Sequence, residues 1–175
     1  ARLLKVSSPI GKELDSLADV ISFGLLPSLF MYRLTEAQSD NPYLPYAGFL
    51  IVVFSALRLA RFNVDQTQTD SFKGLPVPAN ALFITGLPFL NFRWASFILS
   101  WQGLLIITIT FSLLLVSRID LFALKFKDFR WASNKVRFTY LLLSVLLVAL
   151  LNLAAVPLII ILYILFSLGI VLFGK

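Results

Sequence analysis

Residues 1–24 read ARLLKVSSPIGKELDSLADVISFG, and every charge in this stretch lies at or before Asp19. The next charged residue is Arg33, so a membrane-length apolar run opens beside two carboxylates, Asp15 and Asp19. Their spacing of four puts both on one face of a helix. An acidic residue in the first turn is favoured by the helix dipole, which accounts for Asp15. Asp19 lies more than a turn further in, where a carboxylate is costly unless it binds a cation or faces a polar cavity. The pair therefore reads as a functional site at the mouth of a transmembrane segment.

Composition supports the membrane reading. Of 175 residues, 59% are hydrophobic and 14% charged, and the mean hydropathy is +0.90. A soluble domain of this size does not hide so much apolar surface, so the solvent is lipid. Cysteine and histidine are both absent from the sequence. A bound metal must then take oxygen ligands, which points to a hard cation, Mg²⁺ or Mn²⁺. The formal charge of +6 comes from basic residues placed between apolar stretches. That pattern reports topology and contact with anionic headgroups, and it argues against nucleic acid as a partner.

A helix needs roughly 20 apolar residues to cross a bilayer. Six stretches qualify or nearly so: 14–32, 43–62, 77–92, 97–117, 138–153 and 156–173. The expected fold is an all-α integral membrane protein, a polytopic bundle of about six transmembrane helices forming one domain over 1–175. With the N-terminal end cytoplasmic, that side collects Arg2, Lys5, Lys12, Lys73, the basic loop 118–137 and Lys175. The opposite side receives Arg33 and Arg93, as the positive-inside rule requires. Trp94, Trp101 and Trp131 fall near the expected interfaces and read as belt residues.

The letters around the carboxylates carry more. Ala1-Arg2, eight residues, Gly11, three residues, Asp15, three residues and Asp19 resemble the signature of the CDP-alcohol phosphatidyltransferases, Asp-Gly-x2-Ala-Arg-x8-Gly-x3-Asp-x3-Asp. The family's Asp-x2-Asp-Gly-x2 segment would precede Ala1, so two of its four aspartates are expected upstream. ELDSLADVISFGLLPS, ALRLARFN, FKGLPVPANAL and LLVSRIDLFALKFKDF are similar to the integral-membrane phosphatidylserine synthases, the branch whose alcohol is serine. The last two apolar stretches are uninformative.

The resemblance implies transfer of a phosphatidyl group from CDP-diacylglycerol to L-serine, with release of CMP, in a bacterial cell membrane and on its cytoplasmic face. It implies Asp15 as a metal ligand and Asp19 as general base close to the metal. Gly11 would let the loop approach the cytidine, and Arg2 would lie near phosphates or carboxylates. The incoming serine carries a carboxylate, for which Arg58 and Arg61, three apart on one face, are the first candidates. Asn63 would orient the zwitterion beside them, and Lys73 is the second cationic candidate. The bland reading of both arginines is snorkelling at a helix end. Asn80, inside an apolar stretch, either bonds a neighbouring helix or faces a pocket. Membrane lipids are partners by composition, and a homodimer is compatible with the family. Competing readings are a sibling enzyme using glycerol 3-phosphate or inositol, a small cation transporter, or a noncatalytic subunit. A transporter would spread ionisable groups along several spans, whereas here they cluster at one face.

Overall fold

The computed structural model describes residues 9–64, 71–90, 95–122 and 131–173. Helix α1 (Pro9–Asp19) begins on a proline, whose missing amide hydrogen costs nothing in a first turn. It continues through a π-helical turn (Val20–Leu25) into α2 (Leu26–Glu36). The wide turn has a local cause. Pro27 has no N–H to donate, and the Leu26 N–H bonds to Ile21 O, five residues back. Ser28 Oγ then donates to Gly24 O at 2.8 Å, satisfying a main-chain acceptor that lipid could not.

A 3₁₀ turn (Leu44–Phe49) leads into α3 (Leu50–Val64). Helix α4 (Val77–Gly86) ends in a second 3₁₀ turn, Leu87–Phe89. The short α5 (Ala95–Ile98) precedes α6 (Trp101–Val116), whose N-terminus is capped by Ser100 accepting from the Gly103 N–H at 3.3 Å. Helices α7 (Trp131–Leu151) and α8 (Ala155–Phe173) are joined by the turn Asn152–Ala154, where Asn152 takes φ +51°. Tyr140 meets both Tyr163 and Phe166 across that turn, so the two helices form an antiparallel hairpin. The stretches Glu13–Glu36, Leu44–Val64 and Asn134–Leu172, the last folded back on itself, are long and apolar enough to cross a membrane. Val77–Phe89 and Trp101–Val116 are shorter apolar helices.

The all-α membrane bundle expected from the sequence is therefore present, with three differences. The first helix starts before residue 14 and runs to Glu36. Helix α7 begins at Trp131, so residues 131–137 of the expected 118–137 loop are helical, with non-helical geometry at Asn134. A two-stranded antiparallel ribbon also forms from β1 (Ser71–Lys73) and β2 (Asp120–Phe122). Its register pairs Ser71 with Phe122, Phe72 with Leu121 and Lys73 with Asp120.

Packing follows from which faces carry small or shape-matched groups, because nearly every face is apolar. Helix α3 packs on α6, and α4 and α7 pack on α8. Phe83 of α4 stacks on Phe111 of α6 with ring centroids 3.8 Å apart. The core includes Met31, Ile51, Ile84, Leu104 and Leu115. Leu142, Val145 and Leu150 of α7 and Leu165 and Leu172 of α8 point outward, as lipid-facing positions do.

Candidate active site

The polar groups meet at one end of the bundle. Asn63, at the C-terminal end of α3, donates from Nδ2 to Ser16 Oγ of α1 at 2.8 Å. Ser16 lies between Asp15 and Asp19, so this bond fixes the acidic stretch of α1 against α3. Asp15 is exposed and Asp19 half-buried. Gly11 is exposed on the same helix. Arg2 lies outside the described residues.

Beside this corner, the C-terminal ends of α3 and α6 and the residues around β1 enclose a cavity of about 800 Å³. Arg58, Arg61, Lys73 and Arg118 all line it, and among the described residues no Asp or Glu does. Arg58 is only 6% exposed. Its Nε is buried without a hydrogen-bond partner among the described residues, and its guanidinium carbon stands 5.5 Å from the centre of the Phe62 ring. Arg61 is held differently. Its Nη1 donates to Val116 O at 3.1 Å, tying the end of α3 to the end of α6. Lys73 is exposed on β1, and Asp120 faces it across the ribbon without reaching the cavity lining.

Gly74 makes this corner possible. Its φ of +76° suits glycine. A Cβ there would stand 2.5 Å from Leu115 O and 2.9 Å from Ser117 O. The Gly74 N–H donates to Ile119 O and the Leu75 N–H to Leu114 O, both at 2.9 Å. The two segments that carry Lys73 and Arg118 are thus zipped together by main chain.

The sequence candidates Arg58, Arg61 and Lys73 come together at one cavity. Asn63 does not line it and sits instead at the α1–α3 junction. Arg118, read from the sequence as a topology residue, does line it, because α6 ends beside α3, where Arg61 donates to Val116 O. No local signal announces that pairing. Asn80 is fully buried, with neither amide atom partnered among the described residues, so the interhelical bond weighed for it is not made there. Ser55 and Ser112 hold similarly unpartnered hydroxyls. Trp94 lies outside the described residues, and Trp101 is partly exposed at the start of α6.

Among the described residues no group of three or more Asp, Glu, His or Cys could hold a metal. Two carboxylates on one helix face nevertheless fit a hard cation that takes its remaining oxygens from water and substrate phosphates.

The sequence model of the CDP-alcohol phosphatidyltransferase family matches residues 1–113. The chain belongs to that family. Among curated relatives, it is 43% identical over 86 residues to a CDP-diacylglycerol–serine O-phosphatidyltransferase of Helicobacter pylori, covering 48% of this chain and 36% of the relative. It is 38% identical over 133 residues to the enzyme of that name from Mycobacterium leprae, covering 69% and 42%. An archaetidylserine synthase of Methanothermobacter thermautotrophicus is 38% identical over 111 residues, covering 63% and 44%. The aligned segments span half or less of these relatives' own length.

Proposed function

We propose that the protein containing this chain transfers the phosphatidyl group of CDP-diacylglycerol to L-serine, forming phosphatidylserine and CMP at the cytoplasmic face of a membrane. The observation that supports this reading is the cavity lined by Arg58, Arg61, Lys73 and Arg118 at the same end of the bundle as Asp15 and Asp19. The relatives' names support the acceptor: they differ in the lipid they mention and share serine.

The serine hydroxyl oxygen attacks the phosphatidyl phosphorus, and the bond from that phosphorus to the CMP oxygen breaks. Asp19 accepts the hydroxyl proton. A half-buried carboxylate is a weak base for an alcohol, so positioning supplies much of the acceleration. Arg58 offers a planar fork to the serine carboxylate, and its burial among apolar groups strengthens that interaction. Lys73 and Arg118 raise the cavity's attraction for the anion, and Gly11 and Arg2 serve the nucleotide end. Asp15 and Asp19 would hold a divalent cation, Mg²⁺ or Mn²⁺, which neutralises pyrophosphate charge when bound.

Four cations also suit an acceptor bearing a phosphate, such as glycerol 3-phosphate. One experiment separates the two. The full-length protein, reconstituted in lipid with CDP-diacylglycerol, is offered labelled serine, glycerol 3-phosphate and inositol, and serine titrations are repeated with Arg58→Lys. Incorporation of serine, with a large rise in serine KM in the variant and CDP-diacylglycerol KM nearly unchanged, is expected. Preference for another alcohol overturns the serine reading.

A further inference from the structure

The family match ends at residue 113, and the last two helices look featureless in sequence. Yet Tyr163 of α8, 7% exposed, donates its hydroxyl hydrogen to Phe122 O at 2.9 Å. Its ring lies 5.1 Å from that of Phe122, and the Tyr140 ring lies 5.7 Å from Phe122 on another side. The hairpin α7–α8 therefore grips the end of β2. Phe122 pairs with Ser71, the first residue of β1, so the gripped residue belongs to the ribbon that ends at Lys73. Main-chain bonds from Gly74 to Ile119 and from Leu75 to Leu114 carry the connection to Arg118.

A phenylalanine at 163 would keep the ring contacts. The hydroxyl adds one thing: it donates to the main-chain carbonyl at the end of the ribbon, a group that is costly to leave unpaired away from water.

We propose that Tyr163 is a positioning residue for the anion cavity, its hydroxyl anchoring the β1–β2 ribbon to α8 and so holding Lys73 and Arg118 at the cavity shared with Arg58 and Arg61. This rests on the reading of that cavity as the acceptor site. Helix α8 is then a working part of the site rather than lipid-facing scaffold.

The test uses the full-length protein and two readouts. The 175 residues contain no cysteine; with any cysteine elsewhere in the full-length protein replaced, Leu121→Cys, at a position 3% exposed on β2, reports ribbon opening through its reaction rate with a hydrophilic maleimide. Removing one hydrogen bond of ordinary net strength shifts such an opening about fivefold. Adding Tyr163→Phe is expected to speed labelling about fivefold. In the cysteine-free background, Tyr163→Phe is expected to raise the serine KM by a similar factor, with kcat and the CDP-diacylglycerol KM unchanged. Ile119→Cys, half-buried on the same arm, replaces Leu121→Cys if the latter fails to fold. An unchanged labelling rate overturns the anchor, whatever the acceptor. Faster labelling with an unchanged serine KM overturns its positioning role, as does an equal loss across kcat and both KM values. Labelling needs no substrate. A wild-type protein that ignores serine therefore refutes the acceptor reading, while the label alone decides the anchor.

Discussion

Gly74→Ala tests whether the ribbon forms the cavity wall. The perturbation has two parts. An L side chain in the left-handed region at φ +76° costs about 1–2 kcal/mol. The added Cβ would also stand 2.5 Å from Leu115 O, 2.9 Å from Ser117 O and 3.1 Å from Leu114 O. All three are main-chain oxygens at the end of α6, so no flexible side chain can yield. Relief requires the ribbon to lift, weakening the Gly74–Ile119 and Leu75–Leu114 bonds, each of about 1 kcal/mol. About 2–4 kcal/mol thus falls on the ribbon. The helix contacts of α3 with α6 and of α4 with α8 do not pass through it. Acceptor titrations in reconstituted membranes should show KM raised at least about tenfold, with CDP-diacylglycerol KM moved less than about twofold and the protein still folded. Gly74→Asn separates the two parts, because asparagine tolerates the left-handed region better but carries the same Cβ. Equal damage in both variants assigns the effect to the clash. A wild-type acceptor KM in Gly74→Ala would refute the cavity wall altogether.

Asp19→Asn keeps the size of the side chain and removes its ability to accept a proton, so kcat should fall at least about 100-fold with little change in CDP-diacylglycerol KM; wild-type turnover would return Asp19 to a plain helix residue. Asp15→Asn should lower turnover in a way that excess divalent cation partly restores, and failure of any cation concentration to help would remove Asp15 from the ligand set. Exhaustive chelation should abolish transfer in the full-length protein, and Mg²⁺ or Mn²⁺ should restore it; turnover that survives chelation contradicts the metal. Asn80→Leu removes two unpartnered polar atoms from the bundle interior and should stabilise it by about 1–3 kcal/mol, read as a higher unfolding midpoint in detergent. A lower midpoint would show that the amide is satisfied in the membrane.

The helices were legible because hydropathy reports burial in lipid directly. Their ends were less so. Lys135 and Arg137 are polar letters that read as loop, yet they lie within α7, just beyond the non-helical Asn134, since a helix emerging from lipid can continue while its side chains turn polar. The π-helical turn was hidden because Pro27 promises a disturbance without specifying its form. The ribbon was invisible: each strand has three residues, and the pair is separated by long sequence. That gap explains the site. Arg58, Arg61 and Lys73 could be named from local chemistry, but Arg118 joins them only because the fold brings the end of α6 to the end of α3 and to the β1 arm. Tyr163 is one polar letter within LIIILYILFSLG, and its hydroxyl matters only because β2 arrives beside it.

The charge at the cavity follows from how the helices end there. Val64 closes α3 and Val116 closes α6, and both line the cavity. Each helix C-terminus presents about half a negative charge, so the bare backbone would repel an anion with about one negative charge in total. Arg61 answers one of these ends directly, donating to Val116 O. Among the described residues, Arg58 and Arg118 add positive charge beyond what these dipoles require, while Lys73 has Asp120 opposite it across the ribbon. Topology alone does not explain the excess. A snorkelling arginine reaches outward to water and headgroups, whereas Arg58 is buried, stacked near Phe62, and left with an unpartnered Nε. A buried guanidinium in that state is costly, and a membrane protein retains such a group where an anion compensates it. Among the described residues, the carboxylates of Asp15 and Asp19 lie on α1, held at the neighbouring corner by the Asn63–Ser16 bond. In the proposed reaction this separation would keep the acceptor's carboxylate with the arginines and leave Asp19 to take the proton.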